Sequence, residues 1–285
     1  MRKPLAIDLF CGLGGWTDGL LAEGWDVIGF DIEQHQYWVP EEMPDTNNGG
    51  KGTKPIAKRG WTQGCAITLG MEGANNQPRT RLLKYPAQLV VQDVLTLHGS
   101  QFRNADLIVA SPPCQEYSYM AMPWSKAKAI AVEYRSGVRD VKQLTALFDA
   151  CFRIQREACE ASGRHIPLIV ENVRGAIPWV GRSRWNFGSF HLWGDVPALM
   201  PPTLGGRKST PGGADVWFGN YAAMKEGIKQ RGSGREWFAG DGKISRMTSS
   251  KSPARKAASA MIAKIPLPLS RHIAVTFKPE LREAA

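Results

Sequence analysis

The stretch LAIDLFCGLGGWTDGLLAEGWDVIGFDIE, residues 5–33, decides the fold class of this chain. Its first part, LAIDLF (5–10), is a short apolar run rich in strand formers, and glycines follow it. WTDGLLAEG (16–24) has apolar residues at helical spacing before a glycine, and WDVIGFDIE (25–33) is a second strand that ends in acidic residues. A strand, a glycine-rich turn, a helix and a strand predict the opening of a βαβ unit.

The same alternation continues along the chain. Strands are predicted at AQLVVQDV (87–94), ADLIVA (105–110) and IPLIVEN (166–172), and DVKQLTALFDACFRIQREACEAS (140–162) has the apolar spacing of a helix. Strands that alternate with helices predict an α/β, Rossmann-like fold with a mostly parallel sheet and helices on both faces.

Composition divides the chain into a main domain and smaller segments. Residues 37–88 are polar, basic and rich in Gly, Pro and Asn, which predicts a long insertion within a main domain over 1–194. Residues 195–250 are rich in Gly, Pro, Lys, Arg and Trp with little periodicity, which predicts a small irregular basic region. Helix signals return in 251–285, and we expect this segment to return to the main domain.

The chain has 285 residues and a formal net charge of +10. Such an excess favours a polyanionic partner, most simply nucleic acid, although a solvated basic surface has the same composition. No apolar run reaches the roughly 18 residues of a membrane span, and the first residues lack the apolar run of a signal peptide, so a cytoplasmic protein is expected. The five cysteines form no C-x-x-C pair or Cys/His cluster, so no metal is expected.

Polar and glycine residues at the ends of the first three predicted strands favour an adenosine site. Glycines in the turn DLFCGLGG (8–15) would let a ligand approach the backbone, although a tight turn needed only for packing has the same pattern. Asp31 could accept hydrogen bonds from ribose hydroxyls, Asp93 from an exocyclic amine, and the N–H of Val94 could donate to a ring nitrogen. The turn lacks both the G-K-[ST] of a P-loop and full G-x-G-x-x-G spacing.

The next two strand ends carry a thiol and a carboxyl group. Cys114 follows two prolines in SPPCQ (111–115), and its thiolate would be a nucleophile presented at a strand tip. Glu171, in the ENV sequence, ends the following strand, where burial should raise its pKa and let it donate a hydrogen bond. The alternatives are a small apolar side chain in a loop for Cys114 and a structural acid or helix cap for Glu171.

The stretches DLFCGLGG, GFDIE, QDV, SPPCQ and ENV, in this order and each at a strand end, resemble the DNA cytosine-5 methyltransferase family. The match covers residue 5 to about residue 175, and the chain is similar to a compact, phage-like member. The resemblance implies methyl transfer from S-adenosylmethionine to C5 of a flipped-out cytosine in double-stranded DNA, in a bacterial or phage-infected cell. Cys114 would add covalently to C6, while Glu171 would bind N3 and N4. The 1–194 domain would then be catalytic, 195–250 would recognise the target, and the protein would be a monomer.

The resemblance also implies a set of cofactor contacts. Phe10 would pack against the adenine, the glycine turn would lie near the methionine part, and Pro112 would contact the reactive end. The full set that the resemblance assigns to the cofactor is Phe10, Cys11, Gly12, Leu13, Gly14, Asp31, Ile32, Asp93, Val94, Pro112 and Lys264.

Two regions depart from the family pattern. The Q-x-R-x-R strand is replaced by GRSRWNFGSF soon after ENV; there Arg182 and Arg184 would contact cytosine O2 or a phosphate, or lie on the surface. The recognition region is short, and its arginine, lysine and aromatic residues suit groove reading or stacking. These residues are Trp217, Arg231, Arg235, Trp237 and Lys243.

The closing motif G-N-A-V-P-P is replaced by IAKIPLPL (262–269). With one gap, Lys264 stands where the family has Asn, and its ammonium would repel the cofactor sulfonium unless an anion lies between them. Carboxy-S-adenosylmethionine would supply that anion and give 5-carboxymethylcytosine. Alternatively, Ala263 takes the Asn place and Lys264 faces solvent or a DNA phosphate.

Three further functions stay open from the sequence. The chain could be an RNA cytosine-5 methyltransferase or a small-molecule methyltransferase whose charge is unrelated to nucleic acid. It could also be a DNA-binding protein of the same fold without catalysis, although Cys114 and Glu171 disfavour that reading.

Overall fold

The computed structural model describes residues 2–40, 80–114, 117, 124–187, 190–200, 256, 260 and 263–279. The strands are β1 (Leu5–Leu9), β2 (Asp26–Asp31), β3 (Gln36–Pro40), β4 (Thr80–Lys84), β5 (Gln88–Val91), β6 (Leu107–Ala110), β7 (Leu168–Asn172), β8 (Trp185–Phe187) and β9 (Phe190–Gly194). The α-helices are α1 (Gly15–Ala22), α2 (Trp124–Arg135), α3 (Val141–Ser162), α4 (Ile177–Val180) and α5 (Leu267–Thr276). Short 3₁₀ turns occupy Val94–Thr96, Gly99–Phe102 and Arg174–Ala176.

Seven strands form the main sheet in the order β5-β2-β1-β6-β7-β9-β8. The first five of these are mutually parallel, and β9 runs antiparallel to both of its neighbours. The chain moves outward from β1 in one direction through β2 and β5, and in the other direction through β6 and β7. The fold is therefore α/β and Rossmann-like, as predicted, with its topological switch point between the carboxyl ends of β1 and β6.

Helices cover both faces of this sheet because its strands are apolar on both faces. Ile7 packs with Phe148 of α3 in one buried cluster, whereas Ala6 packs with Trp16 of α1 and Leu269 of α5 in the other. Alternate residues of β1 thus serve opposite layers, as the two-residue period of a strand requires. The two layers leave the carboxyl-terminal edge of the sheet as the place where loops gather.

A two-stranded antiparallel ribbon, β3 with β4, stands apart from the main sheet. The composition of residues 37–88 predicted a long insertion but not this ribbon. Residues 41–79, between the two strands, lie outside the described residues. Immediately after β4, Tyr85 enters the core of the main domain with 5% of its surface exposed. The chain is therefore anchored in the core directly after the ribbon.

The C-terminal helix α5 lies against α1. The indole N–H of Trp25 donates to the carbonyl oxygen of Ala274 at 3.1 Å, and Arg271 forms an ion pair with Glu23 at 2.6 Å. Residues 201–250, which hold most of the predicted recognition region, lie outside the described part of the chain. Within the described part, no helix combines the length and apolar character that a membrane crossing needs.

Candidate active site

The turn between β1 and α1 is built on left-handed backbone conformations. Phe10, Gly12 and Gly14 have φ values of 57°, 51° and 75°. The N–H of Gly14 donates to the carbonyl of Cys11 at 2.7 Å, which closes the turn at the carboxyl end of β1. The turn therefore lies beside the switch point, where the ligands of this fold class bind.

The glycines of this turn have different neighbours. A Cβ atom on Gly12 would meet nothing within 4 Å, so its backbone borders open space. A Cβ on Gly14 would lie 2.5 Å from the Pro86 ring, and one on Gly15 would overlap the backbone of Ile265. At Gly14 and Gly15 the chain itself fills the space that a side chain would need. Of these three glycines, only Gly12 has open space on the side where a Cβ atom would stand.

Asp31, at the end of β2, is an anionic acceptor that also shapes the turn. One carboxylate oxygen accepts from the N–H of Gly12 at 2.9 Å, and the other accepts from the N–H of Ile32 at 2.8 Å. Burial would raise the pKa of Asp31, but the hydrogen bond from His35 and those from the backbone outweigh it and hold the pKa below its ordinary value. The ionised group keeps lone pairs for further donors.

Apolar side chains are exposed at the ends of β2 and β5. The two strands are neighbours in the sheet, and Asp31 of β2 is paired with Val91 of β5. Ile32 is 70% exposed, Val91 58% and Leu95 47%, while Phe10 is half-buried. Exposed apolar groups beside an anionic acceptor suit a flat aromatic ring joined to a sugar.

The predicted adenine-edge residues lie in the turn after β5. Asp93 caps the 3₁₀ turn there by accepting from the N–H of Leu95 at 2.9 Å. The side chain of Val94 is buried in the core, so only its backbone is placed to meet a ligand. Leu13 and Cys11 are also buried, and burial raises the pKa of the Cys11 thiol above its ordinary value.

Cys114 follows β6, and Glu171 lies near the carboxyl end of the neighbouring parallel strand β7. Ala110 of β6 is paired with Val170 of β7, so Glu171 comes one residue beyond the pair and Cys114 four. Cys114 is half-buried, and Glu171 is 7% exposed. The topology therefore brings the predicted nucleophile and acid to one edge of the sheet.

Side chains from both sides fix the loop between β6 and Cys114. The indole N–H of Trp16 donates to the hydroxyl of Ser111 at 3.0 Å. The side-chain amide of Asn172 donates to the carbonyl of Pro112 at 3.0 Å, while its oxygen accepts from the N–H of Val173 at 2.8 Å. The loop is thus fastened to α1 and directly to the ENV segment that carries Glu171. Gln115 and Ser118 lie outside the described residues.

Arg182 and Arg184 lie before β8, the outermost strand, and both are exposed. Trp185 is aligned with Leu192 of β9, which is aligned with Glu171, so Arg184 stands about two strand spacings, or roughly 10 Å, from that acid.

Lys264 does not face solvent. Its ammonium lies 2.7 Å from a carboxylate oxygen of Asp18 in α1, and its side chain is 14% exposed. The next residue, Ile265, packs against Gly15, which holds this pair beside the glycine turn. The ion pair with Asp18 thus contradicts the expectation that the Lys264 side chain lies free in solvent.

A buried polar cluster that was not predicted from the sequence lies behind the glycine turn. The hydroxyl of Thr17 donates to Asp8 at 2.6 Å and lies 2.7 Å from the hydroxyl of Tyr85. Asp8 is 1% exposed, and no described group donates to its second oxygen. Burial raises the pKa of Asp8 to about 7. The signal that could have revealed the cluster is Gly29 inside β2, since a side chain there would overlap the ring of Tyr85.

Among the described residues, no group of three or more His, Cys, Asp and Glu side chains is arranged to hold a metal ion. The site is thus composed of a glycine turn, an anionic acceptor with exposed apolar neighbours, a thiol and a buried carboxyl group.

No protein-family model matches the chain, and no curated protein matches it. Two of the solved structures with a distant similarity to this chain are described as methyltransferases. A protein described as a DNA modification methyltransferase encoded within a prophage (E. coli) is 20% identical with a TM-score of 0.30, over 61% of this chain and 33% of that one. A methyltransferase of Entamoeba histolytica is 14% identical with a TM-score of 0.32, over 64% of this chain and 41% of that one. The chain thus spans less than half of the length of each of these proteins.

Proposed function

We propose that the protein is an S-adenosylmethionine-dependent DNA cytosine-5 methyltransferase in which Cys114 is the nucleophile. One observation carries the proposal. The amide of Asn172 donates to Pro112, so the loop that ends in Cys114 is fastened to the strand that presents Glu171. A thiol and a buried carboxyl group held together at a ligand-binding edge are what addition to a pyrimidine ring requires.

The residues at the switch point fit S-adenosylmethionine. Asp31 would accept from the ribose hydroxyls, Gly12 leaves room at the backbone, and exposed Ile32 offers an apolar surface for the adenine. Asp93 and the backbone of Val94 would meet the adenine edge. When bound, the cofactor supplies an electrophilic methyl group.

The chain's own groups would make cytosine reactive towards that methyl. The Cys114 thiolate forms a bond to C6, and the electron pair of the C5–C6 double bond shifts onto C5. This makes C5 nucleophilic. The carboxyl group of Glu171 hydrogen-bonds N3 and N4 and stabilises the developing charge, more strongly because it is buried. After methylation, C5 loses its proton and the thiolate leaves, which restores the aromatic ring. A cytosine stacked in duplex DNA cannot receive this attack, so it must be flipped out.

The structure supplies an anion for Lys264 within the chain. Because Asp18 pairs with the ammonium at 2.7 Å, a carboxylate on the donor is not needed to neutralise it. We therefore propose unmodified S-adenosylmethionine as the donor. Mass spectrometry of nucleosides from treated DNA distinguishes 5-methylcytosine from 5-carboxymethylcytosine, and parallel assays on RNA distinguish the two nucleic acids.

Trapping with 5-fluorocytosine tests the nucleophile. Fluorine at C5 cannot leave as a cation, so duplex DNA that contains this base should form a stable protein–DNA adduct with the natural protein in the presence of the donor. Cys114→Ala should form none, whereas Cys159→Ser, a change at another half-buried cysteine, should keep it. Glu171→Gln should slow methyl transfer about 100-fold or more with donor binding kept. Full activity of Cys114→Ala would refute the mechanism.

A further inference from the structure

Tyr117 is hydrogen-bonded to Cys114. The N–H of Tyr117 donates to the carbonyl of Cys114 at 3.0 Å, which joins the two residues directly through their backbones. The ring of Tyr117 is buried at 5% exposure in the same core cluster as Leu144 and Phe148 of α3. Its hydroxyl donates to the carbonyl of Leu144 at 2.7 Å. Burial and this hydrogen bond fix the position of Tyr117, and its N–H in turn holds the carbonyl of Cys114.

The backbone of Tyr117 also lies directly against the segment after Glu171. Gly175 sits in the 3₁₀ turn Arg174–Ala176, which follows the ENV residues. A Cβ atom on Gly175 would overlap the carbonyl oxygen of Tyr117, so only glycine permits this approach. Tyr117 therefore packs directly on the segment that follows Glu171.

Cys114 is thus fastened on both sides to the carboxyl end of β7. Pro112, before it, accepts from Asn172, and Tyr117, after it, packs on Gly175. The second fastening extends to α3 through the bond to Leu144. Neither Tyr117 nor Gly175 has a nucleophilic or acidic group that the reaction uses.

We propose that Tyr117, seated on Gly175, is a positioning residue that fixes the Cys114 thiol relative to the Glu171 carboxyl group. The inference rests on the proposed function for the roles of those two groups. Addition to C6 requires the thiol to approach the base while the carboxyl group holds its N3 and N4 atoms. The distance between the thiol and the carboxyl group must therefore be set before the base arrives.

Tyr117→Phe is the test variant because it keeps the ring in the core and removes only the hydroxyl. Loss of the bond to Leu144 should lower kcat for methyl transfer about tenfold, since misplacement of a reacting group by about 1 Å can cost about 100-fold. KM for S-adenosylmethionine should stay unchanged. Gly175→Ala should have a larger effect, and Tyr134→Phe, which alters another buried tyrosine, should keep the natural kcat.

Alkylation of Cys114 by iodoacetamide gives a readout that needs neither DNA nor the methyl donor. The rate, followed by mass spectrometry of the Cys114 peptide relative to the Cys159 peptide, should change at least about twofold in Tyr117→Phe, because thiol reactivity follows its surroundings. The alkylation rate could change in Tyr117→Phe while the natural protein transfers no methyl group. That result would support the positioning role and overturn the proposed reaction. Natural kcat and natural alkylation in Tyr117→Phe would overturn the positioning role, whether or not Gly175→Ala folds.

Discussion

Asp8 shows how one buried residue can tie distant parts of the chain to the glycine turn. It lies in β1, and through Thr17 of α1 it reaches Tyr85, which ends the insertion. Its carboxylate is fully enclosed, with one oxygen accepting a bond and the other without a described donor. Enclosure of this kind favours the protonated acid, which is why the pKa of Asp8 is raised to about 7.

Asp8→Asn should change how stability depends on pH. A carboxyl whose pKa is higher in the folded protein than in the unfolded chain stabilises the fold at acidic pH, and that contribution is lost as pH rises through about 7. The amide can still accept from Thr17 but does not ionise. The free energy of unfolding of Asp8→Asn relative to the natural protein should therefore rise from pH 4 to pH 8.

Urea unfolding at pH 4, 6 and 8 measures this difference. Asp26→Asn is the matched control, because it makes the same change at a carboxylate that is 61% exposed at the start of β2. A difference for Asp8→Asn that stays flat between pH 4 and pH 8 would show that Asp8 is ionised at little cost.

At the scale of elements, the glycines of the turn between β1 and α1 have two different roles. Some are required for packing, and one borders the space where a ligand would bind. Gly14 and Gly15 are required because Pro86 and Ile265 occupy the space a side chain would need. Gly12 has the same left-handed backbone as Gly14 but borders open space. A side chain at Gly12 would thus disturb a ligand more than the fold.

Gly12→Ala should weaken S-adenosylmethionine binding by about tenfold, equivalent to about 1.4 kcal/mol, with a loss of stability of only about 1 kcal/mol. Gly137→Ala is a matched control, since Gly137 also has a positive φ with nothing within 4 Å of a Cβ atom. It should show the same loss of stability without any change in affinity. Titration calorimetry and thermal unfolding measure both quantities, and equal affinity in the two variants would exclude Gly12 from the cofactor site.

The elements also show which patterns were readable in the sequence. The parallel strands were predicted because each is a short apolar run closed by a turn, and β1, β2 and β7 lie where expected. Each strand end carries its own local pattern, so Cys114 and Glu171 could be brought to one edge by topology alone. The ribbon of β3 and β4 was missed because its pairing joins residues across 41–79, and no local pattern reports a partner that distant.

The same limit explains the missed contacts of single residues. The bond from Thr17 to Tyr85 spans 68 residues, and the seat of Tyr117 on Gly175 depends on a backbone approach rather than on a motif. Lys264 was singled out by its charge, but its partner Asp18, on a helix near the other end of the chain, was not predicted. Side-chain partners are determined by tertiary packing, which cannot be read from the order of the residues.

At the scale of the whole molecule, the net charge of +10 is the property that a DNA substrate would use. Phosphate contacts release counterions from DNA. The logarithm of the binding constant must therefore fall linearly with the logarithm of the salt concentration. Exposed Arg174 follows β7 directly, and exposed Arg184 lies before β8, so both lie near strands that border the proposed site. Arg103 precedes the amino end of β6, at the opposite edge.

Arg174→Ala and Arg184→Ala should each weaken DNA binding by a similar factor on all sequences and reduce the salt slope by about 1, since each removes one phosphate contact. Arg103→Ala should leave both quantities unchanged, because the sheet holds it away from the edge where the base would enter. Fluorescence anisotropy with duplexes of different sequence, between roughly 50 and 200 mM salt, measures the slopes. If the natural protein binds duplex DNA without any dependence on salt, or Arg103→Ala has the same effect as Arg174→Ala, the basic charge does not guide DNA to this edge.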